Sequence, residues 1–432
     1  MDPTLILTLI LGLFGFLLVL GIPIFAALGV PSILGIYLVS GANALNVIPS
    51  ILHRGIASYS LLCIPLFILM GEVLARTSIG TRLYNLFYTW LNHVRCSLAI
   101  ASVGASAIFG AMSGVSVAGA ATIGRVAIPE MLKRQYDPGL AGGSVAAAGS
   151  LVLLIPPSVG FVLYGEMANQ SIGKLFTAAI VPGLVLSLLM MLYLYGLSHL
   201  KPAVAPLEQQ RVSWSERWRT LRDVWAAILL ILAVLGTIYL GIATPTEASG
   251  IGAAGAFLVA MGYRELNREK LFEIVRSTIV TSSMILLIVA AALLFGYVII
   301  RLQIPQMLIA WVAQLSQPGW VILLLILIFL LIIGMFLDIV SIILITTPIL
   351  LPIVTSLGLD PIWFGVVLII MCEMAVITPP VGLNLYVIKG IAPQISLRDI
   401  TLGALPFVLV EALAVLILVL FPQLALWLPS RM

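Results

Sequence analysis

The chain has 432 residues, 62% of them hydrophobic and only 9% charged, with a formal net charge of +4. A domain wetted on all sides carries about 25% charge, so this composition excludes an ordinary water-soluble fold and makes lipid the main solvent. The small, dispersed positive charge forms no basic stripe for nucleic acid and fits the cytoplasmic loops of a multi-pass membrane protein.

In chain order, the apolar run from Leu5 to Val39 exceeds the roughly 20 residues that cross about 30 Å of hydrocarbon. Gly21-Ile22-Pro23 divides it into two helices, over about 4–20 and 23–40. The start Met1-Asp2-Pro3 lacks the basic segment of a cleavable signal peptide. A third helix is predicted over 56–75 and a short amphipathic one over 82–93. Next comes an apolar stretch, about 96–124, whose middle reads Phe109-Gly-Ala-Met-Ser-Gly-Val-Ser-Val-Ala-Gly119. Clustered Gly and Ser make a poor uninterrupted span and a good turn, which predicts a re-entrant hairpin. The competing reading is one helix with a small-residue packing face. A helix broken by Pro156-Pro157 (138–165) and a last helix (175–198) close the first half.

A polar linker, 201–223, then precedes the same series again: 225–242, 246–263, 277–300, 304–316, 319–347, 361–388 and 399–422. The repeat shows in the prolines. Pro129, Pro138, Pro156, Pro157 and Pro182 correspond to Pro352, Pro361, Pro379, Pro380 and Pro406, in register except for one residue in the last gap. Gly21-Ile22-Pro23 likewise aligns with Ala243-Thr244-Pro245, and the second hairpin carries Gly334-Met-Phe-Leu-Asp338-Ile-Val-Ser341 at its middle. The chain thus divides into repeats over 1–200 and 224–432.

Charge distinguishes two topologies. With hairpins each half crosses the bilayer five times, so the halves are inverted; with plain spans they share one orientation. Basic residues mark the cytoplasmic side. Arg125, Lys133 and Arg134 follow the first hairpin, whereas no Lys or Arg occurs between Gln303 and Ile388 around the second. The linker (Lys201, Arg211, Arg217, Arg219, Arg222) and the loop with Arg264, Arg268, Lys270 and Arg276 are also basic. Hairpin 96–124 therefore opens to the cytoplasm and hairpin 319–347 to the outside. The expected fold is all-α and polytopic, an inverted repeat of two five-crossing halves.

Inverted repeats with broken helices indicate a secondary transporter. A proline inside a helix lacks an N–H and displaces the carbonyl four residues earlier. Pro156-Pro157 is expected to free the carbonyls of Val152 and Leu153, and Pro379-Pro380 those of Ala375 and Val376. Free carbonyls persist at membrane depth only beside a cavity or ligand, and a hard monovalent cation such as sodium suits them. Ser113, Ser116 and Ser158 would complete one such site, Ser341 and Thr378 the other. Small residues such as Gly142, Gly149 and Ser150 are read as close-packing positions. Asp338, at the second hairpin tip, faces cation or substrate; Glu373 relays protons or caps a helix; Glu411 has no assigned role. Glu72 pairs locally with Arg76, and Glu247 sits at a helix start. Cys63, Cys96 and Cys372 lie too far apart to suggest a disulfide framework or metal cluster. No paired aspartates, Ser-His set or His-Glu-x-x-His motif supports an enzyme, and no phosphate loop supports an ATPase.

These segments resemble the large membrane subunit of the tripartite ATP-independent periplasmic (TRAP) transporters over essentially the whole chain. The carriers are Phe109–Ser116, Ile123–Met131 with Tyr136-Asp-Pro138, Ile155–Ser158 with Ser171–Phe176, Thr244–Ala248, Gly334–Asp338 and Ile377–Asn384. One departure is Val115, where a second small residue is expected. The resemblance implies a sodium-coupled importer of a carboxylate handed over by a periplasmic binding protein, in the bacterial inner membrane. It implies an elevator motion, no cofactor beyond sodium as coupling ion, and a separate small membrane subunit of about four helices. It places sodium sites at the hairpin tips, here Gly110, Ser113, Ser116, Val152, Ile155, Pro156 and Ser158 for one. Gly334, Asp338, Ser341, Ala375, Thr378 and Val381 form the other; Ser113, Asp338 and Asn384 are the substrate candidates. The alternatives are an ion-coupled symporter or exchanger of related architecture that needs no binding protein, and a channel. Sparse charge at membrane depth disfavours a channel.

Overall fold

The computed structural model describes residues 3–206, 212–315 and 317–432, all helix and connection without strands. Helices α1 (Pro3–Val19) and α2 (Ile24–Ser40) are separated at Gly21, whose φ of +73° suits glycine, with Pro23 leading into α2. Helices α3 (Ile48–Ile56) and α4 (Cys63–Ala75) follow, the chain bending by 56° between their two segments. The third helix expected over 56–75 is thus split, its upper part starting at Cys63. Amphipathic α5 (Ile79–Leu91) leads into α6 (Ser97–Ser113) and α7 (Ser116–Lys133). Then come α8 (Pro138–Leu154), α9 (Val159–Ala168) and α10 (Ile172–Leu200).

The linker contains a helix the sequence did not suggest, α11 (Trp214–Asp223), capped by the Ser213 side chain on the Glu216 N–H. Arg211 lies outside the described residues. The second half comprises α12 (Trp225–Tyr239), α13 (Pro245–Gly262), α14 (Arg268–Arg301) and α15 (Ile304–Gln314). It continues with α16 (Gly319–Gly334), α17 (Ile339–Ser356), α18 (Pro361–Val376), α19 (Leu383–Ile391), α20 (Leu397–Leu420) and the short α21 (Gln423–Leu426). The segments expected as hairpins hold helices longer than expected: α7 runs past 124 to Lys133 and α17 past 347 to Ser356. Pro129, Pro348 and Pro352 lie inside these helices. Each proline deletes one N–H, yet neighbouring helices hold the turn in place, as membrane helices allow.

The two broken helices form the centre. Residues Gly139–Leu154 of α8 and Trp363–Val376 of α18 are buried all round, so neither has a polar face. Helices α6, α7 and α20 pack on α8, and α16 and α17 on α18. Glycine permits the closest approach: a Cβ on Gly143 would stand 2.1 Å from the Gly403 carbonyl carbon, the small-residue packing of membrane helices. Outer helices turn large apolar side chains outward, for example Leu232 (63% exposed) and Leu258 (66%). Such a surface requires lipid. Among the described residues four helices, α10, α14, α17 and α20, are long and apolar enough to span a membrane by themselves.

Two local expectations are met. Glu72 pairs with Arg76. Glu247 forms a capping box with Thr244, its carboxylate accepting the Thr244 N–H at 2.7 Å. Thr244→Ala strands the start of α13, an expected loss of about 1 kcal/mol, visible as a lower unfolding midpoint of the purified chain; an unmoved midpoint removes this contribution.

Candidate functional site

The first hairpin tip sits on the first helix break. Ser113 ends α6, Gly114 turns with φ +60°, and a Cβ there would meet the Pro157 carbonyl oxygen at 2.8 Å. A Cβ on Gly110 would lie 2.8 Å from the Val152 Cα. Tip and break therefore touch backbone to backbone, which only glycine allows. The Pro156-Pro157 peptide is cis, and Ile155 turns its side chain towards Gly183 of α10. Ser113 and Ser158 are both buried, and neither hydroxyl has a partner among the described residues. Unpaired buried hydroxyls are rare in a packed interior. Two of them beside a broken helix fit an oxygen site for a small cation.

Ser116, which opens α7, is committed differently. Its Oγ lies 3.0 Å from the Gly149 carbonyl and 3.2 Å from Glu373 Oε2, and accepts from Asn384 Nδ2 at 3.1 Å. Asn384 also donates to the Ala146 carbonyl at 3.2 Å. One turn along α8, Ser150 Oγ lies 2.6 Å from both the Ala147 carbonyl and Glu411 Oε1. Ser150 is therefore a hydrogen-bonding residue, not the mere close-packing position its size suggests, and Glu411 acquires a partner. Glu373, Asn384 and Glu411 are fully buried, each with one oxygen unpartnered among the described residues. This polar seam ties α7 and α8 of the first half to α18, α19 and α20 of the second. Asn384, a substrate candidate, lies inside it behind Ser116.

The second tip meets the second break in a similar way. A Cβ on Gly334 would stand 2.5 Å from that of Ala375, and the Val381 N–H donates to the Met335 carbonyl at 3.3 Å. Pro379-Pro380 is cis. Asp338 caps α17: its carboxylate accepts the Ser341 N–H at 3.3 Å and the Ser341 hydroxyl. Thr378 donates through its hydroxyl to the Met374 carbonyl at 2.6 Å. Its N–H bonds the Ala375 carbonyl at 3.1 Å, so this oxygen is not freed as the proline rule suggested. The chain closes a tighter turn before the prolines and uses the carbonyl locally. Unlike the first tip, this one is open: Phe336 is 63% and Val381 37% exposed.

Among the described residues no cationic side chain is paired with these acids. The ion pairs among the described residues, Glu72–Arg76, Arg76–Glu273, Arg82–Glu265 and Glu130–Arg134, lie elsewhere. The described residues contain no His/Cys/Asp/Glu cluster suited to a metal ion, and the three cysteines are buried and free.

The profile of the family described as "Tripartite ATP-independent periplasmic transporter, DctM component" matches residues 11–424. The chain belongs to this family. A C4-dicarboxylate TRAP transporter large permease protein from Pseudomonas aeruginosa is 37% identical over 373 residues, 86% of either chain. A sialic acid TRAP transporter large permease protein from Vibrio cholerae is 31% identical, over 92% of each chain. An isethionate TRAP transporter permease protein from Oleidesulfovibrio alaskensis is 33% identical; the match covers 99% of this chain and 66% of that longer one. The crystal structure of the Alcanivorax borkumensis YdaH transporter superposes with a TM-score of 0.60 at 18% identity, covering 90% of each chain, which shows a shared fold. The protein is thus a multi-pass membrane permease, and these relatives are permeases rather than enzymes.

Proposed function

We propose that this chain is the large subunit of a sodium-coupled importer of an organic acid, working in the bacterial inner membrane. A periplasmic binding protein delivers the carboxylate, and a small membrane subunit completes the complex. The observation that carries the reading is the pairing of each hairpin tip with a Pro-Pro break, with the unpartnered hydroxyls of Ser113 and Ser158 at the first. Oxygen-only surroundings without Lys or Arg suit sodium. The relatives' names, C4-dicarboxylate and sialic acid among them, support an acidic cargo.

The basic loops support inverted halves, with the first hairpin entering and leaving by the cytoplasmic face and the second by the periplasmic face. In an elevator motion the central unit of hairpins and broken helices moves as one body against the outer helices. The polar seam from Ser116 to Glu411 suits that role because it joins both halves inside the body that travels. At the open tip Asp338 repels a carboxylate unless a cation lies between them. Sodium therefore binds before the substrate there, and the ion's charge anchors the acid.

Proteoliposomes holding both membrane subunits, supplied with the binding protein, test this. Asp338→Ala and Thr378→Ala each raise the sodium concentration for half-maximal uptake roughly tenfold, the equivalent of about 1.4 kcal/mol of lost ion binding. Unchanged sodium dependence in both variants removes the second site from these residues. Counterflow without the binding protein separates the readings: robust exchange points to a symporter or exchanger that needs no delivery.

A further inference from the structure

We propose that the groove between α12 and α13 binds one anionic phospholipid. The two helices run antiparallel, joined at Leu240–Thr244, so the start of α12 and the end of α13 lie together at the basic end of the pair. Between them lies an open cavity of about 480 Å³. Trp225, Leu229 and Leu258 form its walls, 59%, 55% and 66% exposed. Leu230, Ala233 and Gly255 line its floor; a Cβ on Gly255 would meet Leu230 Cδ1 at 2.5 Å, so glycine sets the depth. The cavity runs from Trp225 to Ala233 along α12, about 12 Å at the rise of a helix, and from Tyr263 back to Ile251 along α13, about 18 Å. The two lengths bracket the roughly 15 Å of one leaflet, and the cavity ends before Tyr239 of α12 and Pro245 of α13. A spanning helix of a partner would need a groove running the whole length of the pair; an acyl chain needs only this half.

The mouth supplies the complementary charge. Arg222, in the last turn of α11, lies three residues before Trp225 across a 49° bend, and Arg264 directly follows Tyr263. Both are exposed and neither is in an ion pair among the described residues. The acid closest to Arg264 in the chain, Glu265, is already held by Ser78 and Arg82. Tyr263 is fixed as the rim: its hydroxyl donates to the Asp223 carbonyl at 2.9 Å and the Arg82 guanidinium covers its ring at 4.1 Å. Two exposed arginines that flank the slot's rim residues in the chain, unpaired among the described residues, match a phosphate with acyl chains, since arginine pairs bidentately with phosphate oxygens. Trp225 at the boundary is placed as interfacial tryptophans are. The site also touches moving parts, because α11 packs on α5, the connector to the first hairpin, through Trp90, whose indole N–H donates to the Arg217 carbonyl at 3.2 Å.

The purified full-length chain, titrated in detergent with phosphatidylglycerol and counted by native mass spectrometry, tests the site without sodium, cargo or transport. One phosphatidylglycerol is retained most tightly, and Arg222→Gln with Arg264→Gln lowers its apparent affinity roughly 30-fold. Gly262→Leu fills the mouth from a position where a Cβ meets nothing within 4 Å. It abolishes retention while leaving the lipid-free unfolding midpoint in place. Phosphatidylcholine of the same chain length binds the native protein as weakly as it binds the variants. Equal retention of the two lipids, or retention that neither variant reduces, overturns the proposal. A cross-link from Leu258→Cys to the small subunit in the assembled complex also overturns it, by giving the groove to a protein helix.

Discussion

Gly403→Val is expected to prevent the chain from folding to a monodisperse species. A Cβ on Gly403 would stand 1.9 Å from the Gly139 carbonyl oxygen and 2.4 Å from its carbon. Both obstacles are main chain, so no rotamer change relieves them, and α20 has to move off α8. Overpacking of a core costs about 1–3 kcal/mol where side chains give way and more where they do not. The damage extends beyond packing. Glu411 on α20 reaches Ser150 on α8 because the two backbones approach this closely, and α8 also carries Gly149 and the Pro156-Pro157 break. Gly250→Val is the control: it lies in α13, where a Cβ meets nothing within 4 Å. Size-exclusion profiles and thermal midpoints of the two variants decide the matter. A Gly403→Val protein with a native profile and midpoint means that α8 and α20 are not in contact.

The parts of this architecture that are local in sequence were legible from it. Tandem prolines cannot continue a helix, and α8 and α18 end at Leu154 and Val376, just before them. Gly and Ser at 110–116 announce the turn that Gly114 makes. Single prolines break no helix here: Pro129, Pro348 and Pro352 lie inside α7 and α17, since one missing N–H is a defect that packed neighbours absorb. The Ala375 carbonyl misled for the related reason that a chain about to break can tighten its last turn and satisfy itself. The polar seam was illegible because its partners are far apart. Ser116 meets Glu373 across 257 residues, Ser150 meets Glu411 across 261, and Asn384 meets Ser116 across 268. Hydropathy marks Ser150 and Gly149 as equally small, and only tertiary packing assigns a hydroxyl to a carboxyl. The signal that was present is the cost of an acid at membrane depth. It flagged Glu373 and Glu411 without supplying their partners.

That seam gives Ser116→Ala a large expected effect for so conservative a substitution. Removing one oxygen takes a partner from Asn384 Nδ2, from Glu373 Oε2 and from the Gly149 carbonyl contact at once. A buried polar group left unpaired costs about 1–3 kcal/mol, and here at least the carboxyl of Glu373 is stranded, its other oxygen having no partner among the described residues. Asn384→Leu takes away the amide from the other side. Were the three residues independent, the two losses would add. Sharing one hydroxyl, they are expected to couple by about 0.5–3 kcal/mol in a double-mutant cycle, read from unfolding midpoints of the four proteins in one detergent. The two readouts then separate structure from transport. Asn384→Leu leaves the Ser113 and Ser158 hydroxyls untouched, so a loss of uptake beyond its loss of stability, at unchanged half-saturating substrate, supports the proposed joint motion of tip and α19. Strict additivity in the cycle, or uptake that follows folded protein alone, breaks the link between the seam and the proposed moving body.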